Sequence, residues 1–433
     1  MIRLLIVILC VGLCGAGGCT RLWNGPVVEP LKSGDGVVES GLFRGMPYVM
    51  ASVNGSGPFK FLFDTGASVN LIRPTYAKTL GLKAAGNMEV GDASGIKRYM
   101  PVCFVDQLEF GPVAMGNVGF LIDNLDVMRL EHNEGIAGII GIQGLDSFTI
   151  EIDYPNKRIA ITDERLDASD PSTSVFFARP GYKPMIPMSF VDPESAERVH
   201  VVWGLLDTGN MGPIDLKLDS ATPLIDHDQT LDGYLSSGLH DIEHITAMSP
   251  VRERLRLGET TLEGMHASIN GVQSRLGSDV LQSFRIKLDG RSNLVSFTRP
   301  DNARRLVSID KLGISYLFQF DGIRADAIAE GSVAEHLGMR SSDKVLLIDG
   351  KAPDEMYIKT KFWAVADDAT TVTIQIDRWS DGTVVDVVLP LDGSLAGLEK
   401  HDAINEKPEK FNVDIIMKDG NASLGVMTLD PKN

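Results

Sequence analysis

The chain has 433 residues, too many for one ordinary core, so two to four domains are expected. Hydrophobic residues at 43% and charged residues at 23% exclude wholesale disorder. A net charge of −17 repels nucleic acid and anionic headgroups and argues against both as partners of the folded surface.

The N-terminus reads as an export signal. Arg3 is followed by the apolar run Leu4 to Gly18, shorter than the roughly 20 residues a membrane span needs. The run ends in Ala16-Gly17-Gly18-Cys19, small residues before a cysteine. This resembles a bacterial lipobox, although Ala16 stands where that motif usually has Leu. The resemblance implies a signal peptide over 1–19, lipid on Cys19 and membrane anchorage in the cell envelope. Thr20 is not the Asp that often retains such proteins at the inner membrane, so the outer membrane facing the periplasm is expected. A cleaved signal without lipid is the alternative. Cys10 and Cys14 lie inside the signal, which leaves Cys103 alone and no disulfide framework.

Residues 20–35 are punctuated by Pro and Gly and read as a tether. From Gly36 the texture is β. Tyr48 to Val53 and Phe59 to Phe63 form a predicted hairpin about the turn residues 54–58. A helix is expected over Pro74 to Leu82. Short strand-like runs continue to Ile161, and a second set begins near Pro184. Residues 167–180, within a stretch rich in Asp, Ser, Pro and Gly, read as a linker between units at 36–166 and 181–300.

The two sets repeat one plan. Phe61-Leu62-Phe63 runs into Asp64-Thr65-Gly66, and Gly204-Leu205-Leu206 runs into Asp207-Thr208-Gly209. Gly141 follows Asp64 by 77 residues, in Ile139-Ile140-Gly141, and Gly277 follows Asp207 by 70, in Arg275-Leu276-Gly277. A β ribbon follows each, Phe148 to Ile161 and Phe284 to Phe297. Matched spacing of strand, triplet and ribbon points to duplication.

One Asp-Thr-Gly triplet is common by chance. Two, each at the end of an apolar strand, resemble the aspartic proteases, with lobes closer to the compact retroviral type than to pepsin. The resemblance covers roughly 36–300. It implies a mainly β fold with two retropepsin-like acid-protease β-barrel lobes in one chain, and an aspartic endopeptidase. Asp64 and Asp207 would form the catalytic dyad, one splitting water and the other holding a shared proton, because two adjacent carboxylates do not both ionise cheaply. That pattern is an established one for this chemistry. Thr65, Gly66, Thr208 and Gly209 would support the dyad, the threonines bracing the loops across the interface and the glycines allowing a path a side chain would block. A flap is expected at Gly91, Asp92 and Gly95, and more weakly at Gly233 to Gly238. Asn210 and Met211 depart from the family, which usually has a small or hydroxyl residue after the triplet. They keep alive a non-catalytic peptide-binding lipoprotein with a degenerate second lobe. His240 and His244 lie four apart, as on one helix face, but lack the Glu and further ligand of a zinc protease, so no metal and no cofactor are expected.

Residues 301–395 resemble a bacterial PDZ domain, a small α+β fold. Leu312-Gly313-Ile314, the glycine-flanked helix segment Gly331 to Met339, and Val345 to Gly350 carry the resemblance, with Ser342-Asp343 where the family has Gly-Asp. It implies that peptide C-termini add as a strand, their carboxylate held by the amides at Leu312, Gly313 and Ile314. A helix over Asp354 to Ala364 would line the groove through Met356 or Phe362, and strands are expected at Val372 to Asp377 and Val384 to Leu389. Residues 396–433 read as a charged linker and a C-terminal hairpin turning at Asp419-Gly420. The expected partners are peptide or unfolded-protein substrates, peptide C-termini and, through lipid, the membrane.

Overall fold

The computed structural model describes residues 29–32, 34–43, 45–91, 96–125, 135–142, 148–169, 174–180, 183–210, 212, 214–225, 231–237, 243–263, 265–270, 273–300, 305–308, 312–319, 322–328, 331–352, 362–365, 369–395, 398, 415–418 and 421–424. The signal and Cys19 lie outside them.

The fold is mainly β, with two barrel-type lobes. In lobe one, six strands close on themselves. The order is Val113–Ile122, Asn70–Ile72, Ile136–Gly141, Ser56–Asp64, Met46–Val53, Lys97–Phe110 and back to Val113–Ile122. The strand entering the Asp is flanked by a parallel partner, Ile136–Gly141, on one side. Parallel strands buried on both faces read as unbroken apolar runs, and Ile136–Gly141 is buried at every position.

Lobe two repeats these pairings. Ser195–Asp207 pairs parallel with Arg275–Gly277 and antiparallel with Met185–Asp192. Ile214–Lys217 pairs antiparallel with Arg275–Gly277 and parallel with His266–Asn270. Its ring is interrupted. Where lobe one has the single strands Lys97–Phe110 and Val113–Ile122, lobe two has Glu243–Pro250 then Arg254–Leu257, and Thr260–Leu262 then His266–Asn270. After Pro250 the Val251 N–H still donates to the Met265 carbonyl at 2.8 Å, and Arg254–Leu257 then pairs with Met185–Asp192 instead.

Between the lobes lies a six-stranded sheet, in the order Ser174–Phe176, Leu294–Thr298, Arg285–Asp289, Thr149–Asp153, Arg158–Thr162, Gly36–Val38. The two central strands come from different lobes and pair antiparallel, Ile150 opposite Leu288 and Ile152 opposite Ile286. The predicted ribbons are these hairpins. They also turn alike: Asp153 accepts from the N–H of Asn156, Asp289 from those of Arg291 and Ser292, and Lys157 and Asn293 take φ of 52° and 55°. One continuous buried cluster runs from Val38 to Phe297 through both lobes, and its fully buried rings include Phe61, Phe63, Phe120, Phe148 and Phe284. Each such ring contributes about 1.5–3 kcal/mol by leaving water.

Two stretches differ from expectation. Glu29–Lys32, within the expected tether, is a strand on Val113–Ile122. Ser174–Phe176, within the expected linker, edges the central sheet. Neither has a periodic pattern of its own; each is held by a partner far away in sequence. The helix at Pro74–Thr79 is shorter than predicted by one turn.

The C-terminal module has a separate core, including Leu312, Ile314, Val333, Val345, Ile374 and Leu389. Its sheet runs Ile314–Gln319, Gly322–Ile328, Lys344–Ile348, Thr371–Asp377, Val384–Pro390. The helix Val333–His336 is capped by Ser332, whose Oγ accepts from the N–H of Glu335, while the Glu335 carboxylate accepts from the N–H of Gly331 at 2.7 Å. The helix expected over 354–364 is corrected at its end. Phe362–Val365 is a strand paired with Arg305–Ser308, so Phe362 is not a helical groove residue, and Met356 lies outside the described residues. Ile415–Lys418 and Asn421–Leu424 pair as the predicted terminal hairpin.

Candidate active site

Asp64 and Asp207 are the last residues of equivalent strands. Each carboxylate is gripped by its own turn. Oδ1 of Asp64 accepts from the N–H of Gly66 at 2.7 Å and of Ala67 at 3.1 Å. Oδ1 of Asp207 accepts from the N–H of Gly209 and of Asn210, both at 3.1 Å.

The threonines between them lock the lobes together. Thr65 Oγ1 donates to the Leu206 carbonyl at 2.6 Å and accepts from the Thr208 N–H at 3.1 Å. Thr208 Oγ1 donates to the Phe63 carbonyl at 2.7 Å and accepts from the Thr65 N–H at 2.9 Å. Both side chains are fully buried, so every polar group in the brace depends on the other lobe.

The glycines occupy a path that a side chain would block, as expected. Neither Gly66 nor Gly209 has a positive φ. Instead, a Cβ on Gly66 would sit 2.4 Å from Oδ1 of Asp207, and one on Gly209 2.4 Å from Cγ of Asp64. Each glycine makes room for the opposite carboxylate, which brings the two acids face to face.

The two carboxyls act directly on each other. Burial raises the pKa of Asp64 above the ordinary carboxylate range, against the pull of the Gly66 N–H and of Lys183. Burial, with the charge of Asp64 adding, pushes Asp207 up to about 7, while Arg275 opposes the rise. Proximity and burial thus disfavour a doubly charged pair.

Behind each triplet a second glycine closes the floor. The Gly141 N–H donates to Oδ1 of the buried Asn70 at 2.9 Å. A Cβ on Gly141 would meet the Ala67 carbonyl at 2.5 Å, and one on Gly277 the Gly212 carbonyl at 2.1 Å.

Over lobe one, Gly86–Gly91 and Lys97–Phe110 form a hairpin with Gly91 opposite Lys97. Met88 and Val90 on it pack toward the apolar cluster of Leu62, Leu71, Leu121 and Ile139. Gly91 ends the first strand, and Asp92 and Gly95 lie outside the described residues. In lobe two, Gly233 to Ser237 is strand rather than turn. Leu231–Ser237 pairs antiparallel with Glu243–Pro250. His244 sits on that strand, so the helical His240–His244 spacing does not apply, and His240 lies outside the described residues.

Asn210 matches the backbone role of Ala67, and its side chain turns away from the dyad to donate to Asp215 at 3.0 Å. Met211 lies outside the described residues. The sequence reading passed over Arg275 and Asp215. Arg275 is buried, with Nη1 3.0 Å from Oδ2 of Asp215 and Nε 3.7 Å from Oδ2 of Asp207. The signal was present in the repeat: aligning Arg275-Leu276-Gly277 with Ile139-Ile140-Gly141 puts a charge where the other copy has isoleucine.

Leu312 and Ile314 are fully buried, and Gly313 between them takes φ of 79° at the entry to Ile314–Gln319, the outermost strand of its sheet.

No curated protein matches the chain. Residues 49–143, which run through lobe one from the strand before Asp64 to just past Gly141, match the aspartyl protease family.

Proposed function

We propose that the chain is an aspartic endopeptidase in which Asp64 and Asp207 together activate one water molecule. The reciprocal threonine brace carries this reading, because it fixes two buried acids from two lobes opposite each other. One carboxylate takes a proton from the water as its oxygen bonds to the scissile carbonyl carbon. The other delivers the shared proton to the carbonyl oxygen. Collapse of the resulting diol breaks the C–N bond as a proton passes to the leaving nitrogen. The four turn N–H groups hold Oδ1 of each acid and leave Oδ2 for the reaction. Asn210 donates its N–H to Asp207 as Ala67 does to Asp64, which speaks against a degenerate second lobe.

Cleavage of an unfolded protein such as casein by the soluble chain tests this. Asp64→Asn and Asp207→Asn should each lower kcat/KM by about 10³-fold or more, and the double variant should be scarcely worse, since the pair acts as one unit. Loss in Asp64→Asn alone, with Asp207→Asn intact, would overturn the two-carboxylate mechanism.

The C-terminal module belongs to the same proposal as a binder of peptide C-termini. The strand Ile314–Gln319, at the edge of its sheet among the described residues and entered through Gly313, supports strand addition with the carboxylate over the preceding amides. Peptides with a free carboxylate should bind the full chain more tightly than their amides; equal binding would remove the assignment.

A further inference from the structure

Leu62 and Leu205 lie two residues before the acids, on the same strand face as Asp64 and Asp207. Across lobe one, this face continues through lateral neighbours as Leu62, Ile139, Leu71 and Leu121. The equivalent row in lobe two is Leu205, Arg275, Asp215 and Ser268, and the last three are buried. One half of the floor is hydrocarbon, and the other half holds an ion pair.

Burying a guanidinium among packed strands costs free energy that its partner only partly offsets, and apolar residues fill the same row in lobe one. Arg275 is nevertheless held firmly. Oδ2 of Asp215 accepts from its Nη1 at 3.0 Å and from Asn210 Nδ2 at 3.0 Å, and Asn210 Oδ1 accepts from the Gly212 N–H at 2.9 Å. The departure from the family at position 210 therefore belongs to this network. From this network Arg275 Nε lies 3.7 Å from Oδ2 of Asp207, the oxygen that the turn amides do not hold.

We infer that Arg275, clamped by Asp215 and Asn210, is a positioning residue of the dyad that orients Asp207 and stabilises the single negative charge of the acid pair from the lobe-two side. The inference rests on the proposed two-carboxylate mechanism. The charged groups that act most on the pair are Arg275 on Asp207, Lys183 on Asp64, and the two acids on each other, with Asp215 behind Arg275. The proton belongs to the pair, so a cation at either acid favours the monoanion over the neutral pair and the dianion over the monoanion. Arg275 thereby holds the active pH window lower than burial alone would place it.

The variant D215L/R275I copies the Leu71/Ile139 row of lobe one and should keep the fold. Both limbs of its kcat/KM profile should move to higher pH by about 1 unit, as expected for removing an opposite charge within about 4–6 Å. R275Q, which keeps a hydrogen-bonding partner for Asp215, should move them the same way, and R275K should stay near the wild type. A role in packing alone would change kcat without displacing the limbs. Titration of the Asp carboxyl carbons by NMR reads the same shift whether or not any substrate is cleaved. Unmoved or lowered values in both D215L/R275I and R275Q would overturn the inference. Full cleavage by Asp64→Asn would instead overturn the mechanism it rests on.

Discussion

Lobe one and lobe two share a chain path and differ in what fills it. The strand pairings around the acids, the grip of two N–H groups on each Oδ1 and the four brace bonds are the same in both. The barrel wall is closed in one and interrupted in the other, and the row beside the acid is apolar in one and ionic in the other. Of the shared features, the brace bonds have their partners in the opposite lobe, so a change in one copy would strand groups in the other. The divergent features are satisfied inside their own lobe. Arg275 can differ from Ile139 because Asp215 can differ from Leu71 in the same sheet.

The strongest way to break this comparison is to unpair the ion pair. Asp215→Leu alone leaves Arg275 buried without its clamp, and should cost about 3–5 kcal/mol in a denaturant titration. D215L/R275I should recover most of that. If the double variant is no more stable than the single, the row is not interchangeable between lobes. The brace comes next. Thr65→Ala and Thr208→Ala each strand a carbonyl and an N–H of the opposite lobe, and each should cost about 2–3 kcal/mol. Near-equal losses are expected from the symmetry, and a large difference would show that one lobe carries the interface. The smallest effect separates the acids themselves. Both have raised pKa values, so their protonated forms favour the fold. That stability is complete below the ordinary carboxylate range and is lost as pH rises toward about 7. Thermal midpoints of the wild type should therefore fall over this window, and either Asn variant should flatten the slope. The remaining slope should sit at a different pH in Asp64→Asn, where Asp207 keeps Arg275 beside it, than in Asp207→Asn, where Asp64 keeps Lys183. Slopes at the same pH would show that Arg275 does not distinguish the acids.

Much of this was legible in the sequence. The strands entering the acids are solid apolar runs, the ribbons recur at matched spacing, and each triplet follows its strand directly. What stayed hidden depends on distant partners. Ser174–Phe176 is a strand because Val175 lies opposite Val295, which no local pattern reveals. That the triplet glycines sit where a side chain would be blocked was legible, but what blocks it, the carboxylate of the other lobe, was not. The weaker flap candidate at Gly233 to Gly238 falls on the strand Leu231–Ser237, whose ladder partner Glu243–Pro250 no local pattern names. Asn210 stood out as irregular, but its meaning needed Asp215 and Arg275 beside it.

The brace also sets when the acids can act. Its bonds join residues 141 to 145 positions apart, and the central sheet joins Thr149–Asp153 to Arg285–Asp289. Contacts of such separation form late and slowly. A growing chain that has exposed lobe one alone holds a single acid with no opposite partner. Under the proposed mechanism the dyad comes into being only when lobe two has been made and folded against lobe one, so a chain still being made carries no cutting centre. Latency of this kind needs no inhibitory segment: it follows from dividing one site between the two halves of a duplicated sequence.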